Sequence, residues 1–378
     1  MFLLLTLFSC ALGLNPMKIA IISGYGSLSP DMQFELQNSL KWFQSAFLVE
    51  KSQNPVEIQD IYAKIPEYQK FTSVLVQTPT HRVNMKLHSE NMKNLLNLAD
   101  FLVFIVQQNP EKCSRDPDLL AEALPIVLVA DNRPPLAVMS ICLQNSPRPR
   151  NSGFFFDLFR HEILHGLGYG LIIDKSKLTE KKSEKYIWHG ANNQKIPSIR
   201  HFLDFDELSL KAAKIHFNCQ NMAGVQADGE LKNHLNEYIF GNELMTTHLE
   251  PHGNVFSWIS VGIIERTFNG EKQWYHINGT FISTEANQYS YGKKFGCEFL
   301  ENSCEDFLKI AEKHKIGLKL APFCRKSLCY KLPGNAQIFK FTDKNCENRR
   351  VIGDNQKWCP MAKNLPLNYE ISPCLPVG

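Results

Sequence analysis

Apolar residues return along the first half of the chain in two rhythms. Lys18 to Ser23 is a short apolar run with the look of a strand. Ser29-Pro30 then opens a stretch in which Leu36, Leu40, Phe43 and Phe47 recur three or four residues apart. That interval places them on one face of a helix, with Ser29 as its cap and Pro30 at the first helical position, where a missing N–H costs nothing. The stripe reads as core and carries no chemistry. Phe71 to Gln77, Phe101 to Gln107, Ile126 to Ala130 and Leu136 to Leu143 are further short apolar runs separated by polar or proline-containing turns, the pattern of strands. Strands with helices between them imply an α+β or α/β sheet domain.

A second helix follows Asn151-Ser152-Gly153 and carries Phe155, Leu158, Phe159, Ile163 and Leu164 as an aromatic and aliphatic face, so it reads as amphipathic. Gly166, Gly168 and Gly170 end it, since glycine tolerates the left-handed backbone of a sharp reversal. From Leu171 to about Gly241 the chain is polar and mixed, with a lysine-rich turn over Lys175 to Lys185 read as a solvated loop. A third helix is expected from Asn254 to Glu265, with Val255, Ile259, Gly262 and Ile263 on one face. Beyond Cys297, proline, cysteine and short polar segments replace long periodic runs, which predicts a small disulfide-held module. No internal repeat or low-complexity tract interrupts the chain.

Composition narrows the setting. The 378 residues carry 41 Lys plus Arg against 38 Asp plus Glu, a formal +3 with no block of one sign, so there is no electrostatic case for nucleic acid. Phe2 to Gly13 is an apolar run of the length of a signal-peptide core and too short to span a membrane. Of the 11 cysteines, Cys10 falls inside that run; the other ten are an even number, and six lie between Cys304 and Cys374 without paired Cys-x-x-Cys knuckles. Disulfides in an oxidising compartment fit better than metal clusters. The sequon Asn278-Gly279-Thr280 suits the same compartment, and the tail has no apolar anchor signal. The expectation is a secreted protein without stable membrane insertion.

The chemistry is in the second helix. His161-Glu162-Ile163-Leu164-His165 puts two imidazoles four residues apart on one helical face, where one zinc ion takes both, and sets Glu162 beside the metal as a base for a zinc-bound water. A zinc hydrolase needs a third protein ligand. In the short-spaced pattern, His-Glu-x-x-His-x-x-Gly-x-x-His, Gly168 is in place but the ligand position is Leu171, which cannot bind zinc. Downstream candidates are His189, His201, His216, His234, His248 and His252 as well as carboxylates such as Glu237, the third ligand of a gluzincin-like site.

Further along, Asn233-His234 is followed by Gly241-Asn242-Glu243-Leu244-Met245-Thr246, then Gly253 and an apolar helix. This arrangement resembles the leishmanolysin family of metzincins, in which a long insertion separates the glycine from the third histidine. The likeness covers Phe154 to Gly170 and Cys219 to Cys304, including Phe295-Gly296-Cys297 and Asn302-Ser303-Cys304, and is diffuse over Lys18 to Leu143. The resemblance implies an α+β metzincin-like catalytic domain with a twisted mixed sheet and an active-site helix. It implies His161, His165 and His234 as ligands of one Zn2+, Glu162 as catalytic base, and Met245 as the methionine of the turn beneath the metal. It suggests a Cys219–Cys297 disulfide, leaving Cys113 with Cys142; the last six cysteines allow 15 connectivities.

The corresponding division is a signal peptide over 1–13, an N-terminal catalytic subdomain over 14–170, a C-terminal catalytic subdomain over 171–296 and a cysteine-rich module over 297–378. The segment Gly224 to Asn233 is shorter than the family's and lacks its glycine-rich stretch. The first expected strand at Lys18 leaves no room for the family's cysteine-bearing propeptide. The expected activity is that of a secreted endopeptidase acting on polypeptides, extended along an edge formed by the Leu136 to Leu143 strand. A secreted binding or adhesion protein that keeps the fold without the activity is the alternative.

Overall fold

The computed structural model describes residues 13–24, 28–51, 56–129, 133–145, 153–172, 183–189, 195–203, 207–229, 231–250, 253–268, 272–314, 323–332, 334–335, 337–350, 358–362 and 370–374. The expected signal segment and Cys10, and most of the Lys175 to Lys185 turn, lie outside them. The chain divides into two compact units, one of residues 1–176 and 261–286, the other of residues 177–260 and 287–378.

The first unit begins with β1 (Leu14–Pro16), β2 (Ile19–Ser23), α1 (Pro30–Ala46) and β3 (Phe47–Glu50). Ser29 caps α1 as expected, its Oγ accepting from the Met32 N–H, with Pro30 in the first turn. Phe47, the fourth member of the helical stripe, instead starts a strand, because the run Phe-Leu-Val favours extended backbone. Its ring still packs 5.1 Å from that of Phe43. Then follow α2 (Ile58–Lys64), β4 (Ser73–Gln77), β5 (Arg82–Lys86), α3 (Glu90–Leu98), β6 (Phe101–Gln107), α4 (Pro110–Arg115), β7 (Ala121–Ile126), β8 (Leu136–Ile141) and α5 (Phe154–Gly166).

Six of these strands form one mixed sheet in the order β5-β4-β2-β6-β8-β7, with β2, β6 and β8 parallel to one another and β4, β5 and β7 antiparallel to their neighbours. Ala20, Ile22, Val74, Val76, Leu102 and Phe104 pack with Ile61, Tyr68, Met92 and Leu96 into a core on one face. The Tyr68 hydroxyl lies within 2.8 Å of the carbonyls of Ile22 and Ile105 and ties that layer to the sheet. The other face receives α5: an added Cβ on Gly166 would stand 2.8 Å from the Cβ of Ala137, so only glycine permits the helix to lie this close to β8.

Two expectations change here. The strand expected at Ile126 to Ala130 lies earlier, over Ala121–Ile126. The Leu136 strand is interior, lying between β6 and β7, so β7 is the edge.

The second unit contains β9 (Ser183–His189), β10 (Lys195–Phe202), α6 (Glu207–Phe217), β11 (Gln226–Asp228), β12 (His234–Leu235) and α7 (Glu237–Phe240). Its four strands form an antiparallel sheet, β12-β11-β10-β9, in the stretch that periodicity left as polar and mixed. The third expected helix is shorter than read, α8 (Trp258–Glu265). After it come β13 (His276–Ile277) and α9 (Gly279–Ala286) of the first unit, then α10 (Cys297–Glu301) and α11 (Cys304–Lys313) of the second. Short strands from Leu328 onward complete the tail.

Cys219–Cys297 is bonded, as the family pattern suggested, and so is Cys113–Cys142, the pair that was left. Of the 15 tail connectivities the one present is Cys304–Cys359, Cys324–Cys346 and Cys329–Cys374. Among the described residues no helix is long and apolar enough to cross a membrane.

Candidate metal centre

The helix α5 is buried on every side over most of its length, not amphipathic: Phe155 and every residue from Asp157 to Gly166 are buried. Its charged residues survive burial by pairing. Arg160, 2% exposed, bonds Asp157 Oδ1 one turn back at 2.6 Å and both oxygens of Glu285 at 2.7 and 2.9 Å. The guanidinium also lies 4.9 Å from the Trp42 ring and 4.3 Å from that of Phe156. These contacts fix the rotation of α5 about its own axis against α1 and α9. The sequence carried a signal for this in Asp157-x-x-Arg160, an opposite-charge pair at i,i+3 inside an apolar helix.

That rotation brings the Nε2 atoms of His161 and His165 to 3.1 Å from each other. The Nδ1 of His165 is 3.1 Å from the carbonyl oxygen of Tyr169, to which it donates, so its Nε2 is left with a lone pair for a metal. Tyr169 reaches this position because the chain reverses at Gly168, whose φ of +104° is one that a side chain opposes. The Tyr275 hydroxyl donates to the Leu167 carbonyl at 2.8 Å and holds the same reversal from the other side. Burial, with the neighbouring His161, pushes His165 down to about 3 against the pull of the Tyr169 carbonyl. A neutral imidazole is the form a metal requires.

Glu162 is buried as well. Its carboxyl is pushed up to about 8 by loss of solvent and by the nearby Glu122, opposed by a hydrogen bond from the backbone of Ala123 on β7. Its Oε2 is buried with no hydrogen-bond partner among the described residues. Neither the Ala123 N–H nor the Tyr169 carbonyl could be read from the sequence, because backbone partners leave no residue-type signature.

His234 opens β12, directly across from Asp228 in the β11–β12 pair. The next residue, Leu235, donates its N–H to the Met245 carbonyl at 2.8 Å, so the strand that carries His234 is tied to the Met245 turn. Met245 is fully buried, and its N–H donates to Glu243 Oε2 at 2.6 Å. Glu243 also accepts from the Ser257 N–H at 3.0 Å and the Ser257 hydroxyl at 2.8 Å, which pins the turn to the residue before α8.

The ligand atoms of His161, His165 and His234 all lie within 4.8 Å of one another, a group of three able to hold one metal ion. Glu237 is not in that group. Its Oε2 accepts from the Thr247 hydroxyl at 3.2 Å and lies 3.4 Å from His248 Nδ1. His216 is also elsewhere, stacked on Tyr289 with Nε2 donating to the Tyr291 carbonyl.

No family model matches the chain. It is 25% identical over 264 residues to a leishmanolysin-like peptidase of Drosophila pseudoobscura pseudoobscura, covering 60% of this chain and 37% of the relative. The Drosophila melanogaster leishmanolysin-like peptidase gives the same identity and coverage, and that of Caenorhabditis briggsae is 23% identical over 267 residues, covering 60% and 38%. The chain spans a little over a third of the length of these curated relatives. Motifs and alignments agree, and this chain resembles the leishmanolysin-like family.

Proposed function

We propose that this chain is a secreted zinc endopeptidase of the leishmanolysin type, in which His161, His165 and His234 hold one zinc ion, Glu162 is the general base and Met245 floors the site. The observation that carries this reading is the convergence of three imidazoles in one group, with a buried carboxyl that has an oxygen to spare next in sequence to the first of them. The donor set suits zinc, which takes three neutral nitrogens in hydrolases and leaves a fourth position open. When bound there, zinc supplies a Lewis acid that makes water acidic near neutral pH and polarises a carbonyl.

The rest of the work belongs to the chain's own groups. Glu162 takes the proton of the attacking water at Oε2 and returns it to the leaving amine. Loss of solvent around the carboxyl raises its hold on a proton, which suits a group that takes one and hands it on. The Tyr169 carbonyl holds His165 in the tautomer that leaves Nε2 available. An extended polypeptide adds to the sheet at β7, which ends it, and the Ala123 N–H links that strand to Glu162. Five disulfides among the described residues suit an oxidising, extracellular setting.

The test is to incubate purified zinc-loaded chain with a mixed peptide library. Cleavage that a chelator stops and added zinc restores is the expected result. Intact peptides after incubation with the loaded chain would overturn the reading in favour of a binding protein.

A further inference from the structure

We infer that Gly229 is a positioning residue for the third metal ligand: its missing side chain is the seat on which the His234 imidazole rests. The inference rests on the zinc reading above, and it concerns what orients the His234 imidazole. β11 ends at Asp228 and β12 begins at His234. Asp228 and His234 are cross-strand partners.

The turn is built around Asp228. Its Oδ1 accepts the Gly229 N–H at 2.8 Å and its Oδ2 accepts the Asn236 side-chain N–H at 3.3 Å, which fixes both ends of the turn to one buried carboxylate. Gly229 has φ +78°, a left-handed conformation that L side chains rarely adopt. In that conformation the direction a Cβ would take runs straight at the histidine. An ideal Cβ on Gly229 stands 2.7 Å from His234 Nδ1 and 3.6 Å from its Cε1, with the Thr247 methyl 3.5 Å away on another side.

Contacts under about 3 Å force a shift, and the imidazole is the group facing the intruding carbon. Conformation and contact therefore exclude a side chain at 229 independently of each other. One glycine, held by Asp228, does the seating.

The two exclusions can be separated by experiment. Gly296 lies in the same unit, has φ +82° and has nothing within 4 Å of its ideal Cβ, so Gly296→Ala carries the backbone strain without the contact. Gly229→Asn carries the contact with less strain, because asparagine tolerates the left-handed region better than other side chains. Zinc dissociation constants are measured by competition with a chromophoric chelator for wild type, Gly229→Ala, Gly229→Asn, Gly296→Ala and His234→Ala, with folding checked by circular dichroism.

Both Gly229 variants are expected to bind zinc at least about tenfold more weakly than wild type, the range seen when groups that orient a ligand are changed. Gly296→Ala should bind as wild type. Wild-type zinc affinity in a folded Gly229→Asn chain would overturn the inference, as would an equal loss in Gly296→Ala. If His234→Ala binds zinc as tightly as wild type, the zinc reading itself falls, and this inference with it.

Discussion

Two buried carboxylates, one on α5 and one in the Met245 turn, have the same chemistry and opposite surroundings. Glu243 accepts from the Met245 and Ser257 N–H groups and from the hydroxyls of Ser257 and Ser260. Glu162 has one backbone donor, from Ala123, and an oxygen with no partner among the described residues. A carboxylate whose lone pairs are all used is a fastener, since moving it breaks several charge-assisted bonds at once. Loss of solvent raises the proton affinity of both carboxylates, but at Glu243 four hydrogen bonds oppose that rise, whereas Glu162 has one such bond and an oxygen left over to exchange a proton. The difference teaches that burial by itself does not mark a catalytic acid or base; the donors withheld from it do.

The largest effect that would break this contrast is on turnover. Glu162→Gln keeps the shape of the site and removes the base, so peptide cleavage should fall on the order of a thousandfold while bound zinc stays at the wild-type level. Single-turnover cleavage assays and metal analysis of the same sample check both halves.

A second effect concerns pH in the metal-free chain. The folded Glu162 carboxyl, at about 8, lies above its ordinary 4.5, so between these values the folded chain keeps a proton that the unfolded chain has released. Stability is then full below about pH 4.5 and falls as the pH rises through 8, by on the order of 5 kcal/mol. Denaturant titrations of chelated wild type across that window should show the slope, and Glu162→Gln should flatten it.

At Glu243 the loss is one of stability. Glu243→Gln replaces one acceptor oxygen by an N–H2 facing the donors of Met245 and Ser257, at a cost of about 3 kcal/mol. Urea unfolding measures it, and the zinc-dependent rate per folded chain should change far less than in Glu162→Gln. The smallest effect tests how closely α5 is seated. Gly166→Ala drives a methyl against Ala137 and should cost about 2 kcal/mol in the same unfolding assay.

What could be read from the sequence follows from what is local. Ser29-Pro30 announced α1 because a cap and a proline act within one turn, and His161 with His165 announced two imidazoles on one face because helical spacing is fixed. The Leu136 strand, expected at the edge, lies inside the sheet for a reason visible in the residues of β7 and β8. Leu136 to Ile141 is nearly unbroken apolar sequence, as suits a strand covered on both faces. Ala121 to Ile126 carries Glu122 and Pro125, and proline in a strand belongs at an edge.

The β9–β10 hairpin escaped because Ser183 to His189 and Lys195 to Phe202 mix charged and apolar residues without a clean period of two. Burial of α5 on all sides escaped for a different reason. Asp157, Arg160, His161, Glu162 and His165 look like a polar face until Glu285, far along the chain, is known to pair with Arg160.

The account turns on three histidines sharing one ion, and metal analysis by mass spectrometry of purified wild type, His161→Ala, His234→Ala and Glu237→Ala tests it most directly. It predicts one zinc per chain in wild type and in Glu237→Ala, and zinc lost from both histidine variants. Zinc retained in His234→Ala, or lost from Glu237→Ala with His234 intact, would contradict it.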